Sequence, residues 1–146
     1  MSTSTSTSTS TTWIVASPTG AALMTAEQLI EAAHRQFGEA LRVQRSRRGW
    51  ETDYHLYVTL PGEPEIEIAH FADNQMVGIA GTEMQNAWLS AWIRSLLPKG
   101  APRVIAGDRE WRGHAELPYG ISPQRVLAEW VDHSAPGWDA NDPDLR

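Results

Sequence analysis

Along 54–80 apolar and polar residues alternate in a way that predicts three short β-strands joined by two tight turns. Tyr54, Leu56, Val58 and Leu60 fall on one side of the first strand, and His55, Tyr57 and Thr59 on the other. In the second strand Ile66, Ile68 and His70 alternate with Glu65, Glu67, Ala69 and Phe71. Pairing Leu60 with Glu65 would split the apolar sets between the two faces. Pairing Leu60 with Pro64, across a Pro61-Gly62-Glu63 loop with a bulge, sets Val58 against Ile66 and Leu56 against Ile68. A slip of one residue flips every side chain, so the second register is expected. A turn at Asp73-Asn74 then places Val77 beside His70 and Ile79 beside Ile68. The expected buried face is Leu56, Val58, Leu60, Ile66, Ile68, Val77 and Ile79. Its reverse carries His55, Tyr57, Thr59, Glu65, Glu67, Phe71 and Met76.

Helical spacing takes over on both sides of this meander. Thr25 and Gln28 form a capping box, Met24 can staple onto Leu29, and Leu29, Ala33 and Phe37 share a stripe that Gly38 stops. Thr82 and Gln85 repeat the capping box, and Met84, Trp88, Ala91, Trp92 and Leu96 form a stripe widened by Ile93 and Leu97, ending at Pro98-Lys99-Gly100. Two tryptophans four apart on a helix over a sheet read as core rather than as a stacking platform. A third helix opens with Ser122 as N-cap and Pro123 at the first position, Ile121 stapling onto Val126, with Leu127, Trp130 and Val131 inward. Short strands are expected at 13–16, at Leu41 to Val43, at 103–106 and within 111–117. Arg42, Arg45, Arg47 and Arg48 cluster at the entry to the meander and read as a charged, solvated edge hairpin. The fold class is therefore α+β: a mainly antiparallel meander sheet of about five or six strands, with three helices packed on one face.

The domain is expected over 13–138. A Ser/Thr alternation over 1–12 has nothing to bury and reads as a disordered tail, and 139–146 reads as a frayed end, with Trp138 able to tuck back. An apolar share of 41%, with seven tryptophans, supports a packed core. A net charge of −6 disfavours nucleic acid and anionic membrane surfaces and suits a basic partner. The chain has no cysteine, which removes thiol nucleophiles and thiolate metal sites and is compatible with the cytoplasm. No apolar run approaches the roughly 20 residues of a membrane span.

Candidate chemistry is sparse. None of the five histidines sits at a metal-binding spacing, and His55 and His70 fall on opposite sheet faces, so no metal or cofactor is expected. His70 reads as a half-buried sheet histidine, and His34 and His133 as helix-surface residues. His114 and Glu116 share a strand face, a weak acid–base hint. Glu65 and Glu67, about 7 Å apart by strand geometry, read as a solvated pair. A face left to water is usually plainer than this mixture of His55, Tyr57, Phe71 and Met76 with two carboxylates, which suits a protein-contact surface.

Over 13–138 the order is strand, helix, four-strand meander, helix, one or two strands, helix. With acidic charge, many tryptophans and no cysteine, it is similar to two kinds of small α+β protein. These are the immunity proteins of bacterial polymorphic toxin systems and the secretion-chaperone-like domains. The likeness lies in element order and names no site residue. It implies a non-enzymatic, cytoplasmic protein-binding module, neutralising a basic toxin domain or chaperoning a client; the contacts expected for such a module come from the outer sheet face, at Tyr57, Glu65, Glu67, Phe71 and His55. Two other readings stay open. One is a small enzyme or ligand-binding domain with a pocket between sheet and helices, using His114 and Glu116 or Trp88 and Trp92. The other is a homo-oligomer whose outer sheet face is the self-interface.

Overall fold

Val58 pairs with Ile66, Leu56 with Ile68, Ile68 with Ile79 and His70 with Val77, so the meander has the register that gathers its branched aliphatics on one face. The computed structural model describes residues 10–145; the expected tail over 1–9 lies outside the described residues. In chain order the elements are β1 (Thr11–Ala16), α1 (Ala26–Phe37), β2 (Leu41–Arg45), β3 (Thr52–Val58), β4 (Ile66–Phe71) and β5 (Met76–Gly81). There follow α2 (Glu83–Ser95), β6 (Ile105–Asp108), β7 (Gly113–Glu116), α3 (Pro123–Ala128) and β8 (Val131–Asp132). Eight strands make one antiparallel sheet in the order β2-β3-β4-β5-β1-β6-β7-β8. That is more than the five or six expected, and Thr11 and Thr12, read as tail, open β1. The extra strand β8 replaces what the sequence suggests is the end of the last helix: α3 stops at Ala128, and Val131 then pairs with His114.

The helices cover one face. α1 packs on β2, β3 and β4, α2 on β5 and β1, and α3 on β7. Beneath them lie Trp13, Val15, Leu56, Val58, Ile66, Ile68, Val77, Ile79, Ala106 and Ala115, all buried. Full burial of an Ile or Leu side chain contributes about 1.5–3 kcal/mol, so this face supplies most of the fold's driving force. Leu60, expected with that set, lies past the end of β3 and is only half-buried.

Both capping boxes form. Thr25 Oγ1 accepts from Gln28 N at 3.2 Å while Gln28 Oε1 accepts from Thr25 N at 2.9 Å, and Thr82 with Gln85 repeats the pattern. The buried side of α2 is rotated from the expected stripe. Ala87, Leu89, Ser90 and Ile93 are fully buried, whereas Met84 and Trp88 are exposed at 54% and 38%. The helix is flanked by α3 as well as resting on the sheet, so its covered arc is wider than its apolar stripe. Polar residues share that arc: buried Arg94 donates to the Leu117 carbonyl at 2.8 Å and to those of Leu97 and Pro98, closing the C-terminal end of α2.

Among the described residues no α-helix packs on the other face. At its β6–β7 end it is covered by the segment after β8, the stretch expected to fray. Trp138 stacks on His133 with ring centroids 3.7 Å apart, and Arg103 is held by Glu116, Asp142 and Asp144. Asp142 and then Glu116 raise the guanidinium pKa, and Arg103 in turn holds the Asp142 carboxyl below the usual carboxylate range. β2 is the opposite, free edge, as the arginine cluster suggests. Arg42 lies 4.2 Å from the Tyr57 ring centroid, Arg45 lies 6.0 Å from Tyr54 and Arg47 5.9 Å from Trp50.

Candidate functional site

One row of the uncovered face runs across six strands as His55, Ala69, Gly78, Ile14, Gly107 and His114. Small residues in its middle leave a trough of about 690 Å3, floored by Ile14, Ala69, Gly78 and Ala80 and walled by Trp50, Phe71, His55, Glu67 and Arg109. The glycines of this region are bare for different reasons. A methyl on Gly107 would overlap the Trp111 ring, and one on Gly113 the Trp130 indole. A methyl on Gly78 would meet Ile14, Ala69 and Phe71 at 3.6–3.8 Å, ordinary contact. Packing does not require glycine at 78; its effect is to keep the trough deep.

A β-bulge builds the wall at β3. Thr52 pairs with Phe71 and Tyr54 with His70, so Asp53 is an extra residue in the strand. The bulge turns Asp53 under the sheet, where its Oδ1 lies 2.6 Å from His70 Nδ1. It also brings Thr52 onto the outer face, where its Oγ1 lies 3.1 Å from His55 Nε2. His55 Nδ1 is 2.6 Å from Glu67 Oε2, one strand away, and Ser46 Oγ is 3.0 Å from Thr52 Oγ1. Ser46, Thr52, His55 and Glu67 thus form one hydrogen-bonded chain at the mouth of the trough.

His55, Glu67 and Phe71, three of the five expected contact residues, line the trough. Tyr57 stands beside it, its ring 6.4 Å from His55, in a second recess of about 450 Å3 shared with Arg45, Arg47 and Trp50. Partial burial and the adjacent Glu67 carboxylate push the Tyr57 phenol above its ordinary value, with Arg42 opposing. Glu65 is set apart. It precedes β4, is exposed, and accepts from Thr59 Oγ1 at 3.0 Å.

Sequence reasoning missed Trp50, Thr52, Arg109 and the floor. Trp50 offered a signal, as a large aromatic in a polar turn, and Gly78 offered another, as a glycine inside an apolar strand. Arg109 and Thr52 offered none, because a strand crossing and a bulge put them there.

The histidines fall into three settings. His70 is fully buried rather than half-buried: it is tied to Asp53 and, through Nε2, to the Met24 carbonyl at 2.9 Å. His133 is not on a helix; it follows β8 and packs with Trp111, His114 and Trp138. Its Nδ1 donates to the Trp111 carbonyl at 2.7 Å, and its Nε2 lies 2.7 Å from His114 Nδ1. Burial, then the neighbouring His133, lowers the His114 pKa. His114 and Glu116 do share the outer face but engage different partners, His133 and Arg103, and so form no acid–base pair. Trp92 is core as expected, while Trp88 borders a separate groove of about 400 Å3 with Phe37, Leu60 and Met84.

Among the described residues no helix is long and apolar enough to cross a membrane. In comparison with known proteins, no family model, curated protein or solved structure matches the chain.

Proposed function

We propose that the uncovered sheet face is a protein-binding surface and that the trough seats a basic segment of the partner. The observation that carries this is the one-sided packing of the fold. All three helices lie on the face of Leu56 and Ile68, and the reverse keeps half-exposed His55, Tyr57 and Phe71 around a floor that Gly78 leaves open. Trp50 is 54% exposed on the rim, where aromatic rings and the carboxylates of Glu51 and Glu67 together suit a lysine or arginine side chain. A net charge of −6 adds long-range attraction for such a partner. The same surface serves the immunity-protein or chaperone-like reading, in which a cytoplasmic module masks a basic toxin domain or shields a client.

Titration of the purified protein with lysine- and arginine-rich peptides, followed by tryptophan emission, tests the proposal against acidic peptides of equal length. Basic peptides should bind, more weakly at high salt. The pair Tyr57→Ala with Glu67→Ala, and separately Gly78→Val, should weaken binding with little change in melting temperature. Equal response to acidic peptides, or collapse of stability in those variants, overturns it. A concentration-dependent mass in light scattering would assign the face to self-association instead.

A further inference from the structure

The hydrogen bonds around His55 have a direction that binding alone does not explain. The Glu67 carboxylate accepts, so His55 Nδ1–H donates to it at 2.6 Å, which leaves Nε2 as the ring nitrogen that meets the Thr52 hydroxyl at 3.1 Å. Thr52 Oγ1 can in turn accept from Ser46 Oγ at 3.0 Å. Hydroxyl, imidazole and carboxylate stand in the order that activates an oxygen nucleophile: the base touches the hydroxyl, and the acid fixes the base's tautomer and steadies its charged form. His55 is screened by Trp50, whose ring centroid is 5.9 Å away and nearly perpendicular. Thr52 lines the trough, so a substrate lying there reaches its oxygen. The loop beside it holds two main-chain donors, Gly49 N–H and Glu51 N–H, that make no hydrogen bond among the described residues. On the far wall the guanidinium of Arg109 takes part in none of the ion pairs among the described residues.

We propose that this chain is an acyl-transfer site, with Thr52 as nucleophile, His55 as general base and acid, Glu67 orienting His55, and a small carboxylic ester as substrate class. Thr52 Oγ bonds to the acyl carbon as its proton passes to His55 Nε2. The carbon–oxygen bond to the alcohol then breaks, and the alcohol leaves with that proton. Water next gives a proton to Nε2 and its oxygen to the acyl carbon. The acid departs as Thr52 Oγ takes the proton back. The Gly49 and Glu51 N–H groups are the donors available to the oxyanion. The assignment goes beyond partner binding and does not depend on it.

The test uses the full chain, p-nitrophenyl acetate and butyrate, and a fluorophosphonate probe whose attachment is mapped by peptide mass spectrometry. The expected result is ester turnover and a label on Thr52, kept in Thr52→Ser. Thr52→Val, His55→Gln and Glu67→Gln should each lose turnover, the first two by at least about 100-fold. Their melting temperatures, measured alongside, should stay near that of the parent chain. Turnover unchanged in Thr52→Val, a label on another residue, or no turnover and no label in the parent chain overturns the proposal. Basic-peptide binding is measured on the same parent preparation: binding without turnover or label overturns the relay alone, and turnover with a label on Thr52 but no binding overturns the binding surface alone.

Discussion

Two histidines on neighbouring strands each face a carboxylate at 2.6 Å, yet one is a structural tie and the other is free to work. His70 lies under the sheet, fully buried, and both its ring nitrogens meet groups that accept: the Asp53 carboxylate and the Met24 carbonyl. Both ring nitrogens are thus taken up by fixed partners, and removing either partner would leave a buried polar group bare. His55 lies on the open face, and the group at its Nε2 is a hydroxyl, which can accept or donate. The hydroxyl can therefore partner Nε2 in either hydrogen-bond role. The difference comes not from the acids but from the second partner, carbonyl against hydroxyl, and a single bulge sets both by turning Asp53 down and Thr52 up.

The largest effect should come from separating the buried pair. Asp53→Ala leaves His70 without its carboxylate beneath the sheet and should cost about 3 kcal/mol in urea unfolding. A loss under 1 kcal/mol would erase the distinction between the two histidines. Arg103→Met, which frees the segment carrying Asp142 and Asp144, should cost about 1 kcal/mol, because the pairs it removes are part-exposed. The His114 and His133 pair sharpens the contrast through pH. The His114 pKa is lowered in the fold, so unfolded chains bind protons first and stability falls as pH drops below the ordinary imidazole range toward the folded value. Melting temperature measured from pH 7.5 downward should show this loss, and His114→Gln should flatten it. The smallest effect on stability belongs to His55→Gln, under about 0.5 kcal/mol. That variant should nonetheless lose basic-peptide affinity; a large stability loss would place His55 with His70 as a structural residue.

Much of the architecture was legible because the meander's alternation tolerates one register and the two capping boxes are local. Val58 against Ile66 and Thr25 with Gln28 needed no knowledge of the rest of the chain. What escaped was non-local. Whether Trp88 is covered depends on how α3 flanks α2, and β8 exists because β7 offers an edge to Val131. Of the candidate site, the alternation placed His55, Tyr57, Glu67 and Phe71 on one face. It could not see that a bulge adds Thr52, or that strands distant in sequence bring Arg109 to the opposite wall.

β1 sits between β5 and β6, and it alone joins the meander to the strands that end the sheet. Both neighbours of β1 lie far along the chain, so its flanks stay open until residues 76–81 and then 105–108 are in place. Until then Trp13 and Val15 lack their sheet neighbours, so the two halves of the sheet join only when β1 enters between them.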